Sequence, residues 1–556
     1  MANPPPQSFG LGKLAMTPVN VILLGGMLVL QFSVWGAWFV TLGVYLEKGL
    51  GFSGAWIGAI YGTMALGTIF SPMIVGAIAD RYFNSEKLMG ILHLVGGVLL
   101  LILPVVGTNP EAFYAIALLY ALLYSPTLAL ANSITFSHVP NGTVWFPILR
   151  TFGTIGWVVV GLFVGFVLPS LIKLPEGTTV DATAYPLYLA GGLSILLGFF
   201  SFLLPATPPT GKAGEMLPAI KALGLLKDPS FAIFFGVSFV ITIVLAFYDG
   251  FTGNYLADSI MPKLPGDMRP DSVAPVMAIG QIAEMLILPF LGACLYFLGM
   301  KWVLSIGMFA WGLRYLLFAF GSGGESASVG PFLVIASLAL HGICFDFFFA
   351  AGFIHVDNNA PKEVRASGQA LFTFLTYGLG MWLGNTISGV IVDKYTLFNE
   401  VGGEAKITQA VDSFLKATKQ EDIKTDDKGV FLHDVANALG GTIASPITEE
   451  ERKKRNIPVL SALGNPEEAA TRNPKLVDTL QKDLGKDLGN RAARLLEEAH
   501  AKALDPKHKS EGVFTTRNWF MVWIIPSLGV FAALAVFLAL FREDKKKAQA
   551  LEQAAV

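Results

Sequence analysis

The chain has 556 residues, of which 53% are hydrophobic and only 14% are charged, and its formal net charge is −2. Soluble domains average about 25% charged residues, so the composition excludes an ordinary soluble protein and indicates a polytopic membrane protein. The near-neutral charge gives no sign of an electrostatic nucleic-acid surface, and we expect no nucleic-acid partner.

Apolar runs long enough to cross a bilayer recur along the whole chain. A hydrocarbon core about 30 Å thick needs about 20 apolar residues per helix, and by this measure the sequence predicts twelve spans. They are 19–46, 54–80, 87–106, 111–137, 145–170, 185–205, 231–257, 273–298, 301–321, 330–356, 366–393 and 517–541. We therefore predict an all-α, twelve-helix protein embedded in the lipid bilayer.

Polar breaks between these runs predict the domain organisation. Residues 1–205 are expected to form an N-terminal six-helix bundle, and residues 206–230 a cytoplasmic linker. Helices 7 to 11 of the C-terminal bundle fall in 231–394, whereas 517–556 hold helix 12 and a basic tail. The polar segment 395–516 interrupts the second bundle before its last helix.

Lysine and arginine in short loops predict the orientation, because cytoplasmic loops carry an excess of both. Arg81, Lys87, Lys301 and Arg365 lie in loops on one side, and the other side's short loops are poorer in basic residues. Both termini are therefore expected in the cytoplasm, and the 395–516 insertion outside it. The insertion's leucine spacing favours a small helical cap over a disordered segment.

Two observations argue against an enzyme or a metalloprotein. Cys294 and Cys344 lie in separate apolar runs, and the histidines of the insertion are isolated from one another. Neither pattern supplies a metal site or a disulfide framework, and no nucleophile–base set or phosphate-binding glycine loop is visible. We expect no enzyme activity and no metal or other cofactor.

The stretch Met277–Pro289 carries two polar side chains inside an apolar run. Gln281 and Glu284 are three residues apart, so they share one face of a helix. An unpaired carboxylate in a span costs about 2.5–3.5 kcal/mol or more and usually faces a cavity. Glu284 is therefore either a proton-carrying wall of a transport pathway, which we favour, or a protonated packing residue.

Other spans also contain ionisable residues. Arg150 opens the fifth span, where it either binds substrate, pairs with a carboxylate or extends towards the interface. Asp249 follows Phe247 in the seventh span. Asp346, in the tenth, either pairs with Arg314 or takes up a proton, which a carboxyl group does more readily in a low-dielectric environment than in water.

The first span presents an amide and two indoles on one face. Gln31, Trp35 and Trp38 stand at i, i+4 and i+7, the spacing of one helical face. Such a stripe suits stacking on a flat ring, although aromatic stripes also serve plain packing.

The loop after the second span, Gly76-Ala-Ile-Ala-Asp80-Arg81, resembles the G-x-x-x-D-R motif of the major facilitator superfamily. This resemblance implies two six-helix bundles and alternating access. It also implies that Gly76, Asp80 and Arg81 are gating or structural residues, a role that we extend to Arg314.

Longer stretches resemble, in order and spacing, the bacterial nucleoside:proton symporter family. They are Gln31-Phe-Ser-Val-Trp-Gly-Ala-Trp, Tyr124-Ser-Pro-Thr-Leu-Ala-Leu-Ala-Asn, Arg150 to Gly156, Gln281-Ile-Ala-Glu284 and Phe345-Asp346-Phe347-Phe348. The resemblance covers almost the whole chain outside 395–516. It implies that Arg150, Gln281 and Glu284 contact a nucleoside and that Glu284 with Asp346 couples transport to protons.

Further candidates to line the same site are Thr154, Gln31, Trp35, Phe247 and Asp249. The family's seventh span is expected to carry amide side chains where this chain has Phe247-Tyr-Asp249, which leaves base selectivity open. The implied protein is a monomeric, proton-coupled nucleoside importer of the bacterial inner membrane. A sugar or nucleobase transporter remains an alternative, as does a receptor that uses 395–516 as its ligand domain.

Overall fold

The structure is a computed structural model. It describes residues 16–74, 82–174, 178–209, 218–264, 269–322, 330–418, 425–441, 443, 445–455, 460, 466–504 and 515–542. Gly76, Asp80 and Arg81 lie outside the described residues. Within those residues the chain is helical throughout, and the only β-type pairing is one isolated antiparallel bridge between Thr396 and Arg517.

The principal helices follow one another along the chain. They are α1 Pro18–Trp38, α2 Gly54–Ile74, α3 Ser85–Ile102, α4 Pro110–His138, α5 Gly142–Leu162, α6 Tyr185–Ser201, α7 Pro229–Tyr255, α8 Ala274–Ile287, α9 Leu291–Gly321, α10 Gly330–Ala339, α11 Ala351–Asn359, α12 Arg365–Thr373, α13 Met381–Lys394, α14 Gly403–Ala417, α15 Thr425–Ala438, α16 Pro466–Leu484, α17 Lys486–Leu504 and α18 Trp519–Leu540. We call α1–α6 the N-terminal half, and α7–α13 with α18 the C-terminal half.

Local sequence explains where several of these helices begin. Thr17, Asn109 and Asp228 each accept a hydrogen bond from a backbone N–H in the first turn of α1, α4 and α7. Each of these caps is followed by a proline at the first helical position, where the missing N–H costs nothing. The pattern of cap plus proline therefore marks helix starts in sequence.

Seven helices among the described residues are long and apolar enough to cross a membrane, and an eighth is added by the bent pair Gly330–Ala339 and His341–Asn359. One of the seven is a continuous run, Ala274–Gly321, that is broken at Gly299. Gly299 has φ 77°, a conformation that glycine adopts without strain, and it separates the predicted spans 273–298 and 301–321. The count of twelve stays a prediction.

The insertion has a hydrophobic core of its own. Leu397, Phe414, Leu480 and Leu496 are among its buried residues, and its described residues include the helices α14–α17. Its two ends meet, because the Asn518 N–H donates to the Tyr395 carbonyl at 2.8 Å beside the Thr396–Arg517 bridge. The segment therefore leaves and re-enters the membrane helices at one point.

Candidate functional site

A cavity of about 240 Å³ lies between the two halves. Its size approaches the lower end of ligand pockets, about 300 Å³. It is lined by side chains of α1, α2 and α5 on one side and of α7, α8, α13 and the segments around His341 and Tyr377 on the other. A molecule bound in it would touch both halves.

The N-terminal half contributes a mainly aromatic wall. The rings of Trp35 and Trp157 meet edge to face with centroids 5.3 Å apart, and Trp35 packs in the same manner on Phe39 at 5.4 Å. All three residues line the cavity. Polar members of this wall include Arg150 and Thr154, one helical turn apart on α5.

The Arg150 guanidinium sits over an aromatic ring at the cavity wall. Its carbon Cζ lies 4.1 Å from the centroid of the Phe32 ring, a distance typical of a cation–π contact. This contact orients the side chain while leaving its N–H donors towards the cavity. Arg150 can therefore offer donors to a ligand without leaving its rest position.

The C-terminal half contributes the polar wall, with Asp249, Gln281, Glu284, His341 and Asn385. The side-chain oxygens Oε1 of Gln281 and Oδ1 of Asn385 are buried and have no hydrogen-bond partner among the described residues. Buried polar atoms normally have a partner. These two oxygens are thus acceptors held ready for a donor from a ligand.

Glu284 faces the cavity, as its place in the sequence predicts. Its side chain is 25% exposed, and its Oε2 lies 3.9 Å from Nε2 of His341. Asp249 also lines the cavity and makes no hydrogen bond or ion pair with the described residues. The site therefore presents two carboxyl groups to a ligand from one side and a guanidinium from the other.

Two predicted ligand residues are buried beside the cavity and do not line it. Gln31 is fully buried. Its side-chain N–H donates to Thr127 at 2.8 Å, and its Oε1 lies 2.8 Å from Nε2 of His93. Phe247 is 2% exposed, whereas its neighbour Tyr248 lines the cavity. The structure therefore assigns Gln31 to packing within the N-terminal half.

The Arg314–Asp346 ion pair, expected as one alternative, is not formed in the described chain. Arg314 is fully buried and donates to Nδ1 of His341 at 2.8 Å. Asp346 is 1% exposed, begins a π-helical turn, and has one carboxyl oxygen without a hydrogen-bond partner among described residues. It does not belong to the residues that line the cavity.

Sequence reasoning missed His341 and Asn385 as cavity residues. His341 stands in an apolar span, and an ionisable residue there is by default a functional candidate, so the signal was available. Asn385 had no such signal, because its place on the cavity wall depends on how α13 packs against α2.

One end of the two halves is held together by carboxylates that cap helices of the opposite half. Asp393, on α13, accepts from the N–H groups of Gly54 and Ala55 at the start of α2, at 2.6 and 2.8 Å. In the same manner, Asp181 of the N-terminal half accepts from Ser272 at 2.5 Å and from the N–H of Val273 at 2.7 Å, at the start of α8. Negative charge at a helix N-terminus is favourable, so each half stabilises a helix of the other.

A second group of polar residues joins the halves at the same end. Glu47 accepts from both Asn254 and Arg517, and Lys48 pairs with Asp258 at 2.8 Å. Arg517 also lies 3.7 Å from Asp258. We call the region formed by these ion pairs and hydrogen bonds, together with the Asp181 and Asp393 caps, the closed end.

Asp181 makes the closed end sensitive to pH. Burial raises the pKa of its carboxyl group from 3.8 to about 6, against the lowering effect of the Ser272 and Val273 hydrogen bonds. The folded protein therefore binds this proton more tightly than the unfolded chain. The contribution of this proton to the free energy of unfolding is fully present below about pH 3.8 and is lost as the pH rises through about 6.

Asp181→Asn, which cannot ionise, is therefore expected to gain thermal stability relative to the wild type as pH rises from 4.5 to 7.5. The gain is at most about 3 kcal/mol, because one pKa unit equals about 1.4 kcal/mol. Thermal unfolding in detergent at both pH values measures it, with the exposed Asp412→Asn as control. A difference between the proteins that is equal at both pH values would contradict the prediction.

Comparisons with known proteins agree on one group of relatives. The sequence model of the family described as "Nucleoside H+ symporter" matches residues 20–406. YegT of Escherichia coli strain K12 is 37% identical over 383 residues, which cover 68% of this chain and 85% of YegT. The xanthosine permease of the same organism is 32% identical over 392 residues, covering 67% of this chain and 87% of the permease.

A solved structure shares the fold. The crystal structure of the nucleoside transporter NupG matches with a TM-score of 0.59 and 31% identity, covering 68% of this chain and 91% of that one.

Proposed function

Because the chain belongs to the nucleoside H+ symporter family, we propose that it imports nucleosides together with protons by alternating access. Its fold is the major facilitator fold, as predicted, and the family consists of membrane transporters and not of enzymes. The observation that carries the proposal is the central cavity, with an aromatic wall from one half and a polar wall from the other.

The two walls suit the two parts of a nucleoside. A flat base ring can lie against Trp35 and Trp157, since offset and edge-to-face ring contacts are each worth about 0.5–1.5 kcal/mol. Ribose hydroxyls and the base edge carry both donors and acceptors. Gln281, Glu284 and Asn385 can accept from them, and Arg150 can donate to them.

The position of the contacts between the halves supports the proposed alternating access. Their carboxylate caps and ion pairs lie at the end where α1 finishes and α2 begins. In the proposed orientation, with both termini in the cytoplasm, this end faces outwards and the closed side of the cavity is the outer one. Import requires these contacts to break and re-form in each cycle.

Glu284 is the coupling residue in this proposal. A carboxyl group at the cavity wall can take up a proton from outside, and neutralising it lowers the cost of moving the loaded site through the low-dielectric midplane. Asp346 is a second candidate that acts from behind the cavity. Coupling in this scheme needs no cofactor other than the proton.

Uptake of radiolabelled uridine and adenosine tests the proposal, in cells that lack nucleoside transporters and in proteoliposomes under an imposed pH gradient. We expect accumulation that a protonophore abolishes, and that excess nucleoside suppresses but sugars or nucleobases do not. Uptake of a sugar or nucleobase in place of both nucleosides would contradict the proposal.

The insertion is expected to be dispensable for transport, which separates a transporter from a receptor. Thr396 and Arg517 face each other in one antiparallel bridge, so their Cα atoms are only about 5 Å apart. A variant with a short glycine–serine turn in place of 397–516 should retain uridine uptake within about a factor of three, because none of the described residues of that segment lines the cavity. Retained uptake would exclude a receptor that transports nothing, whereas loss of uptake by a correctly inserted variant would contradict the expectation that the segment is dispensable.

A further inference from the structure

His341 is held rigidly at the polar wall of the cavity. Its ring stacks on those of Tyr248 and Phe345, with centroids 5.4 and 5.7 Å away and interplanar angles of 25° and 29°. The ring is 6% exposed, and its Nε2 is the nitrogen nearer to Glu284. Stacking on both neighbours leaves the ring little freedom to turn.

Arg314 lies behind the ring and determines which of its two nitrogens carries the hydrogen. The guanidinium is fully buried, lies 3.7 Å from the Tyr248 ring centroid, and places NH1 2.8 Å from Nδ1 of His341. A guanidinium has donors but no acceptor and keeps its proton in proteins. Nδ1 must therefore be an unprotonated acceptor, and the single hydrogen of the neutral ring is on Nε2.

We propose that His341 is a neutral hydrogen-bond donor of fixed tautomer, whose Nε2–H faces Glu284 across a 3.9 Å gap in the empty site and donates to an acceptor oxygen of the nucleoside in the loaded site, and that Arg314 is the positioning residue that fixes this tautomer. The inference rests on the proposed function and adds to it which group carries the proton. A second proton on His341 would have to bind at Nδ1, against the guanidinium. Of these two groups, Glu284 and not the histidine is therefore the one that can take up the transported proton.

The geometry connects proton uptake to substrate binding. Nε2 and Oε2 of Glu284 are 3.9 Å apart, about 1 Å longer than a hydrogen bond, so the two groups attract each other across a gap that a ligand atom can enter. When Glu284 is ionised, it competes for the Nε2–H. When Glu284 is protonated, that donor is free for a ribose hydroxyl oxygen or a base carbonyl.

Other charged and titratable groups surround this pair. Asp249 and Tyr248 belong to α7, Glu284 to α8 and Arg314 to α9, whereas Cys344 and Asp346 are on the same run of chain as the histidine. Among the described groups, only Arg314 donates to the ring. The hydrogen bond from Arg314 disfavours a positively charged His341 ring, whereas the nearby carboxylates favour one. Arg314 is in direct contact with the ring, so its effect is larger than that of the carboxylates.

The first test compares two substitutions of His341. His341→Gln keeps an N–H near the position of Nε2 and cannot titrate, whereas His341→Leu keeps the bulk and loses the donor. We expect the Gln variant to raise the KM for uridine about threefold, because a flexible side chain must be ordered, yet to keep gradient-driven accumulation. The Leu variant should raise KM about tenfold through loss of the hydrogen bond. Loss of accumulation in the Gln variant, with uridine binding retained, would overturn the inference.

The second test releases the histidine from its fixed tautomer. Arg314→Met keeps a long apolar side chain and removes the donor to Nδ1. Burial still disfavours the charged ring in that variant, but the single hydrogen of the ring is no longer confined to Nε2. We therefore expect the KM for uridine to rise about threefold with little change in kcat, because the donor at Nε2 is present only part of the time. The double variant Arg314→Met/His341→Gln should have the KM of His341→Gln alone. A well-folded Arg314→Met protein with the wild-type KM would overturn the inference; should that variant not fold, the His341 pair decides alone.

Binding measured without transport separates this inference from the proposed function. Trp35 and Trp157 line the cavity, so their fluorescence should report uridine or adenosine binding in detergent. Wild-type protein that neither binds nor accumulates either nucleoside would overturn the proposed function and this inference with it. Competent wild-type protein combined with a His341→Gln variant that binds without accumulating would overturn the inference alone.

Discussion

Glu284→Gln is expected to abolish gradient-driven accumulation of nucleoside while preserving exchange of labelled for unlabelled nucleoside. The amide keeps the size of the side chain and its acceptor oxygen, but it cannot take up a proton. Each proton carried per nucleoside supports about tenfold accumulation for a one-unit pH gradient, because one pH unit equals about 1.4 kcal/mol. The variant should lose this accumulation, and its net uptake should stop when the nucleoside concentrations inside and outside are equal.

Proteoliposomes with an imposed pH gradient give the required measurement, because accumulation and exchange can be followed on the same preparation. Glu404→Gln is the matched control, since it makes the same chemical change at an exposed position of the insertion. Undiminished uphill uptake by the Glu284 variant would contradict its coupling role and direct attention to Asp249 or Asp346.

Glu47→Gln is expected to open the closed end. Arg517 has a side chain only 5% exposed and is held by Glu47 and, less closely, by Asp258. Removing one partner of a buried ion pair costs about 3–5 kcal/mol, because the remaining charge is left uncompensated. The halves should separate at this end, and the population of the outward-open state should rise.

Spin labels at Lys173 and Asp271, both exposed near the closed end, measure this separation after the two native cysteines are replaced. We expect longer distances in the Glu47 variant and a lower melting temperature in detergent. The control is Asp412→Asn, which breaks an exposed pair with Lys428 and should cost less than about 1 kcal/mol. Unchanged distances would show that the cluster does not hold this end together.

Arg517 also connects the insertion to the closed end. It pairs with Thr396 in the bridge where the insertion begins and ends, and its guanidinium contacts Glu47, which follows α1, and Asp258, which follows α7. A change in the position of the insertion would therefore bear directly on these contacts, although none of the insertion's described residues lines the cavity.

Much of the cavity could be predicted from sequence because the membrane makes polar residues conspicuous. Arg150, Thr154, Asp249, Gln281 and Glu284 are polar positions within apolar runs, and each of them lines the one cavity. A charged side chain in a span has few low-energy locations, and the interior of the bundle is the main one. Residue type and position marked Arg150, Asp249, Gln281 and Glu284, whereas Thr154 was added on the family resemblance.

Other assignments depended on partners that are distant along the chain. Gln31 looked like a cavity residue, yet its amide is taken up by Thr127 and His93, which come from α4 and α3. A pair between Arg314 and Asp346 was one of two alternatives, but Arg314 instead contacts His341, which stands five positions before Asp346. A sequence shows that a polar group needs a partner, and not which of several partners it meets.

By itself, the sequence determined that this is a membrane-embedded all-α protein with acidic and basic groups inside its spans, because hydrophobic length and isolated charges are local properties. Only the tertiary structure decided that Asp393 caps α2 and Asp181 caps α8 across the two halves, over separations of 339 and 92 residues. It also decided the tautomer of His341. These depend on which helix ends and side chains meet when the halves pack, and no local pattern specifies that.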